Sequence, residues 1–131
     1  MMSDVRQVFM AHMRVSEAFY RVIACYAQKE NTTITDKVNE LLAKALAAPE
    51  KLLFRALSEP TEYIIILADD SRRVYVDRDL LYQLQKFLRE HGIQNKTIQR
   101  ILIQAMVIYA QFLQDDGSIK ILDDSCLELR R

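Results

Sequence analysis

Arg72-Arg73-Val74-Tyr75-Val76-Asp77 alternates strictly, with Val74 and Val76 on one face and Arg73 and Tyr75 on the other. Successive side chains of an extended chain point to opposite faces, so this stretch predicts a strand with one apolar and one polar side. Downstream, Asp77 or Asp79 caps a helix carrying Leu80, Leu81, Leu84, Phe87 and Leu88. His91-Gly92 ends that helix, with glycine where a left-handed residue is wanted. Gln94-Asn95-Lys96-Thr97 is a capping linker, and the apolar residues from Ile98 to Leu113 predict a long helix. Its apolar arc is too wide for a surface helix, which places it centrally.

Working upstream, residues Gln7 to Val15 alternate less regularly and predict a first strand. Ser16 is an N-cap for a helix with Phe19, Val22, Ile23 and Tyr26 on one stripe, ending near Glu30. Asn31-Thr32-Thr33 caps a second helix that runs from Ile34 to Ala47 or Ala48. Pro49 stops it and starts a short helix to Leu57, since proline suits a first helical turn. The β-branched run Tyr63-Ile64-Ile65-Ile66-Leu67 predicts a further strand, buried on both faces or forming a hairpin arm before the turn Asp69-Asp70-Ser71. The tail brings an Asp115-Asp116-Gly117 turn, a short strand at Ile119 to Leu122 and a loosely held acidic end.

The expected fold class is α+β and mainly helical, with an additional strand or hairpin at about 63–77. A length of 131 residues with only two Gly and two Pro suits one compact unit of helices on short connections and excludes a disordered or collagen-like chain. Lys plus Arg (18) balance Asp plus Glu (18), but residues 115–131 hold five of those acids and three of those bases, which leaves a barely basic body. Cys25 and Cys126 supply neither a disulfide framework nor a zinc-ligand spacing and read as reduced thiols, Cys25 as a small buried hydrophobe. With two His far apart and no Gly-rich phosphate loop, nothing assembles a catalytic constellation: the chain is not read as an enzyme, and no metal or cofactor is expected. The N-terminus has no apolar run suited to a signal peptide and no segment suits a membrane span, so the expected location is the cytoplasm, with no membrane partner.

The order strand, capped helix, polar linker, longer helix occurs twice. Met13-Arg14-Val15-Ser16 parallels Val74-Tyr75-Val76-Asp77, Phe19 and Val22 parallel Leu81 and Leu84, and Asn31-Thr32-Thr33-Ile34 parallels Asn95-Lys96-Thr97-Ile98. These halves resemble the ribbon-helix-helix family of DNA-binding proteins. The likeness is carried by residues 13–22 and 33–42 in the first half, and by Arg73 to Val76 with Asn95 to Ile98 in the second. A tandem arrangement is similar to that of the accessory proteins of conjugative plasmid relaxosomes. The family's usual interhelical Gly is missing from the first half, where Lys29-Glu30-Asn31 stands, and Asn can adopt the same left-handed conformation. The resulting organisation is a first motif at 1–48, a connecting segment at 49–62, a second strand-helix-helix motif at 63–114 and an acidic tail at 115–131.

The resemblance implies a two-stranded ribbon that enters the major groove of double-stranded DNA. Met10, His12, Arg14, Ser71, Arg73 and Tyr75 are the implied base-contacting positions. Thr32, Thr33, Lys96 and Thr97 lie where the second helix of each half would turn its N-terminal amides to a phosphate. The two halves could pair within one chain as a pseudo-dimer or between chains as a homodimer. The implied role is transcriptional regulation or service to a plasmid or mobile element. The alternative is a non-enzymatic module that oligomerises through its long C-terminal helix and meets a protein partner, which the neutral global charge favours.

Overall fold

The two alternating segments pair with each other. A computed structural model describes the backbone of residues 10–59 and 61–127, and the side chains of these residues outside 61–64. Gln7, Val8 and Phe9 of the expected first strand lie outside the described residues, as do Glu128, Arg130 and Arg131 of the tail. In chain order the elements are β1 (Met10–Val15), α1 (Glu17–Lys29), α2 (Ile34–Ala47), α3 (Pro49–Leu57), α4 (Thr61–Ala68), β2 (Arg72–Asp77), α5 (Arg78–Glu90) and α6 (Lys96–Ala110). β1 and β2 form one antiparallel two-stranded sheet, with Met13 opposite Val74 and Arg14 opposite Arg73.

A ribbon of two strands has no stability alone, and here its inner face is sealed by helices. Met13, Val15, Val74 and Val76 are buried against the helical core. Each strand runs directly into a capped helix: Ser16 Oγ accepts from the Phe19 amide at 2.9 Å, and Asp77 Oδ1 accepts from the Asp79 and Leu80 amides. The strands are locked at their ends by side-chain amides from the other half of the chain. Gln104 of α6, fully buried, accepts the Ser16 amide at 2.9 Å, and Asn39 of α2 accepts the Asp77 amide at 2.7 Å. α6 is central, as its apolar arc predicts, with every residue from Ile101 to Ala110 buried.

The turn between α1 and α2 places Asn31 at φ 56°, and that between α5 and α6 places Gly92 at φ 84°. Asn31 thus occupies the left-handed position filled by glycine in the second half, which its short polar side chain tolerates. The equivalent helix caps are Thr33 and Asn95, each accepting from the amide three residues on. This corrects the alignment read from letters alone, which set Asn31 beside Asn95 and is out of step by two residues.

The strand or hairpin expected at 63–77 is absent before β2: residues Thr61–Ala68 are helical, and the second strand-helix-helix run starts at Arg72 rather than 63. A short β-branched run does not distinguish a buried strand from a buried helix, and tertiary partners decide. Here α6 supplies them. Gln104 Nε2 donates to the Leu67 carbonyl at 3.0 Å, while Arg100 donates to the Ala68 and Asp69 carbonyls at 2.7 and 3.2 Å, so side chains satisfy the end of the helix.

Within the described residues the tail is pinned at Asp123 and Cys126, which corrects the expectation of a loose end there. Cys25 and Cys126 are joined in a disulfide across a separation of 101 residues, and Cys126 is buried. The expectation of two reduced thiols fails because chain spacing carries no information about which remote segments return to α1. Around the bond, Tyr26 Oη donates to the Asp123 carbonyl at 2.8 Å and Lys29 pairs with the Asp123 carboxylate at 2.8 Å. Lys29 and the Ser125 amide hold the Asp123 carboxyl well below the usual carboxylate range. Burial, then the charges of Asp123 and Asp124, push the Tyr26 hydroxyl up to about 12. Of the short strand expected at 119–122, one bridge between Leu113 and Ile119 is present.

Candidate nucleic-acid interface

The outer face of the ribbon is built by the same alternation that buries the inner one. Three cross-strand pairs point outward: Met10 with Asp77, His12 with Tyr75, and Arg14 with Arg73. Met10 and Asp77 are half-buried at the ribbon's end, and the other four are exposed. His12 and Tyr75 meet edge to face, ring centroids 4.6 Å apart, which fixes two flat side chains upright on the surface.

The third pair is electrostatically costly. Like charges placed directly opposite on one sheet face repel. Arg14 reaches the Asp70 carbonyl at 3.4 Å, and Arg73 has no hydrogen-bond or ion-pair partner among the described residues. The adjacent Arg72 contrasts with both. It points off the ribbon to pair with Glu17 at 3.3 Å and lies 3.8 Å from the Tyr20 ring centroid. Tyr20 and the Glu17 carboxylate raise its guanidinium pKa against an opposing desolvation cost. Acid neighbours were therefore available to this end of the ribbon, and the outward arginines do not use them.

Ser71 stands in the turn before β2, its hydroxyl donating to Asp69 at 2.8 Å. Asp69 also takes the Glu17 amide, and these bonds, the Glu17 one foremost, keep its carboxyl below the ordinary range. Ser71 is thus a turn residue at the ribbon's edge. Of the implied phosphate contacts, Thr33 spends its hydroxyl on capping α2, and Thr32 is half-buried in the turn with its amide bonded to Ala27. Lys96 and Thr97 are exposed in the first turn of α6.

Two residues that sequence reasoning missed complete the surroundings. A cavity of about 330 Å³ opens between β1 and the helices α5 and α6, lined by His12, Arg14, Gln85, Arg89, Lys96 and Arg100 among others. Arg100 follows Lys96 by one helical turn, a spacing visible in sequence, whereas the approach of Arg89 from α5 is purely tertiary. On the other flank Met10, His12, Thr35 and Tyr75 line a second hollow. Comparison of the chain with models of known protein families, with curated proteins and with solved structures finds no match. Among the described residues no helix is long and apolar enough to cross a membrane.

Proposed function

We propose that the chain binds double-stranded DNA by laying the β1–β2 ribbon in the major groove, as a tandem ribbon-helix-helix protein. The observation that carries this reading is the Arg14–Arg73 pair: two guanidinium groups are held opposite each other on an exposed ribbon, with no acid between them among the described residues. Such an arrangement costs free energy in the free protein and is relieved by an anion or an acceptor-rich base edge. Arginine bonds the O6 and N7 acceptors of guanine bidentately, a contact worth roughly 1–3 kcal/mol of discrimination, and a major groove about 12 Å wide admits a two-stranded ribbon. His12 and Tyr75 stand beside the arginines on the same face, Met10 and Asp77 at its end.

The tandem reading draws support from the register. Met13 lies three residues before the cap Ser16, Val74 lies three before the cap Asp77, and the two are paired, as an approximate twofold axis through the ribbon requires. α1 and α5 each have 13 residues, and the left-handed Asn31 and Gly92 follow at corresponding points. The functional unit in this reading is an intramolecular pseudo-dimer, serving transcriptional regulation or acting as an accessory protein of a plasmid or mobile element. A homodimer joined through α6 is disfavoured, because the helix invoked for that interface is buried within the chain from Ile101 to Ala110.

The test is selection from a random duplex pool, followed by titration of the enriched duplex between roughly 50 and 200 mM salt, where phosphate contacts reveal themselves. A defined motif with a steep salt slope is expected. Failure to enrich any motif refutes the reading.

A further inference from the structure

The two flanks of the ribbon differ in charge, and the difference is built from corresponding positions. On the α6 flank four cations converge on one cavity: Arg14 from β1, Arg89 from α5, and Lys96 and Arg100 from α6, with no carboxylate lining it among the described residues. Two are already fixed in place, Arg100 on the Ala68 and Asp69 carbonyls and Arg14 on the Asp70 carbonyl, and a guanidinium with five N–H donors keeps others free. Lys96 stands in the first turn of α6, which contains no acid.

Counting from the caps gives the corresponding positions on the α2 flank. Arg14 stands two residues before Ser16, and Tyr75 two before Asp77. Arg89 follows Asp77 by twelve, as Gln28 follows Ser16. Lys96 and Arg100 follow Asn95 by one and five, as Ile34 and Val38 follow Thr33. Each of these four cations is thus replaced by an uncharged residue, and the first turn of α2 carries Asp36 besides. Conversely, His12 and Gln99 of the cavity correspond to Arg73 on the ribbon face and to Lys37, which is buried and paired with Glu30 and Glu40. The hollow on that side is lined by Met10, His12, Thr35 and Tyr75 among the described residues.

Resting on the DNA reading above, we infer that the Arg14–Arg89–Lys96–Arg100 cavity is a one-sided anchor for the DNA backbone, seating a phosphate on the α6 flank of the ribbon and none on the α2 flank. The consequence is polarity: the protein lies on its site in one orientation, and the site is asymmetric. A phosphate is the right ligand because it is a compact anion with several acceptors, matched by guanidinium forks and an ammonium group at a helix N-terminus.

The experiment is phosphate-ethylation interference on both strands of the enriched duplex with the full chain, repeated with Lys96→Gln and with Arg89→Gln. Lys96 is exposed and Arg89 half-buried over the Tyr82 ring, and thermal melts verify that each variant is folded. Interference on one side of the contacted groove is expected, and each variant is expected to lower the slope of log affinity against log salt by roughly one. Equal interference on both flanks, or salt slopes unchanged in both folded variants, overturns the inference while leaving major-groove binding standing. A chain that retains no duplex overturns the functional reading and this inference together.

Discussion

Removing the Cys25–Cys126 bond offers a sharp quantitative test of the fold. The cross-link closes a separation of 101 residues, nearly the whole described chain. Chain-entropy loss in the unfolded state for a loop of about 100 residues corresponds to about 4.7 kcal/mol at 25 °C, an upper figure, since measured values cluster at about 2–4 kcal/mol. Unfolding entropy of about 2.1 cal/mol/K per residue gives roughly 0.28 kcal/mol/K for a chain of 131 residues, so the full effect equals a fall in Tm of about 17 °C. The Cys25→Ala/Cys126→Ala protein is expected to melt about 7–17 °C below the oxidised parent while keeping its helical signal. The Tyr26–Asp123 and Lys29–Asp123 contacts still hold the tail when the sulfurs are gone. Urea unfolding should show a larger m value in the variant, because the uncross-linked denatured chain exposes more surface. Two free thiols in the native oxidised protein would refute this reasoning, as would a variant whose Tm lies within about 3 °C of the parent, under 1 kcal/mol on the same conversion.

Gln104→Leu leaves the buried Ser16 amide and Leu67 carbonyl without partners, at about 1–3 kcal/mol each, so urea denaturation should show a loss of about 2–6 kcal/mol. An unchanged midpoint would mean the amide does not bridge strand and helix. Arg14→Ala and Arg73→Ala should each weaken specific DNA binding severalfold or more. Since each also removes a like-charge repulsion, their thermal melts should stay level or rise slightly, and a sharp fall would make the arginines structural. At high pH, phenolate absorbance should show Tyr26 ionising near 12. Because the folded state favours neutral Tyr26, its contribution to stability is full below about 10 and is lost as pH rises from there towards 12. Tyr26→Phe should remove one tyrosine's amplitude from the late phase, and a native titration complete near 10 would contradict the buried placement.

Local chemistry was legible. The period-two alternation of Arg72 to Asp77 identifies the strand, and Ser16, Thr33 and Asp77 identify helix starts because a short side-chain oxygen is what an unsatisfied first turn needs. Even the substitution of Asn31 for a glycine follows from backbone sterics. What stayed hidden depends on partners remote in sequence. Ile64 to Leu67 has strand propensity, yet Gln104 and Arg100 lie more than 30 residues away and satisfy the end of a helix there. The same holds for the return of Cys126 to α1. At the candidate interface, the outward set His12, Arg14, Arg73 and Tyr75 came from parity alone. Arg89 was missed because its helix meets β1 only through the tertiary fold.

The ribbon has one further consequence, which concerns concentration. When two strands come from separate molecules, the reading surface assembles only above a dissociation constant and its halves part on dilution. Here Met10–Val15 and Arg72–Asp77 share one backbone, so forming the surface is first order and every folded molecule carries it, however scarce the protein. The tether also frees each strand to mutate without altering the other. A single codon change can therefore shift one edge of the surface, a freedom unavailable to two identical subunits.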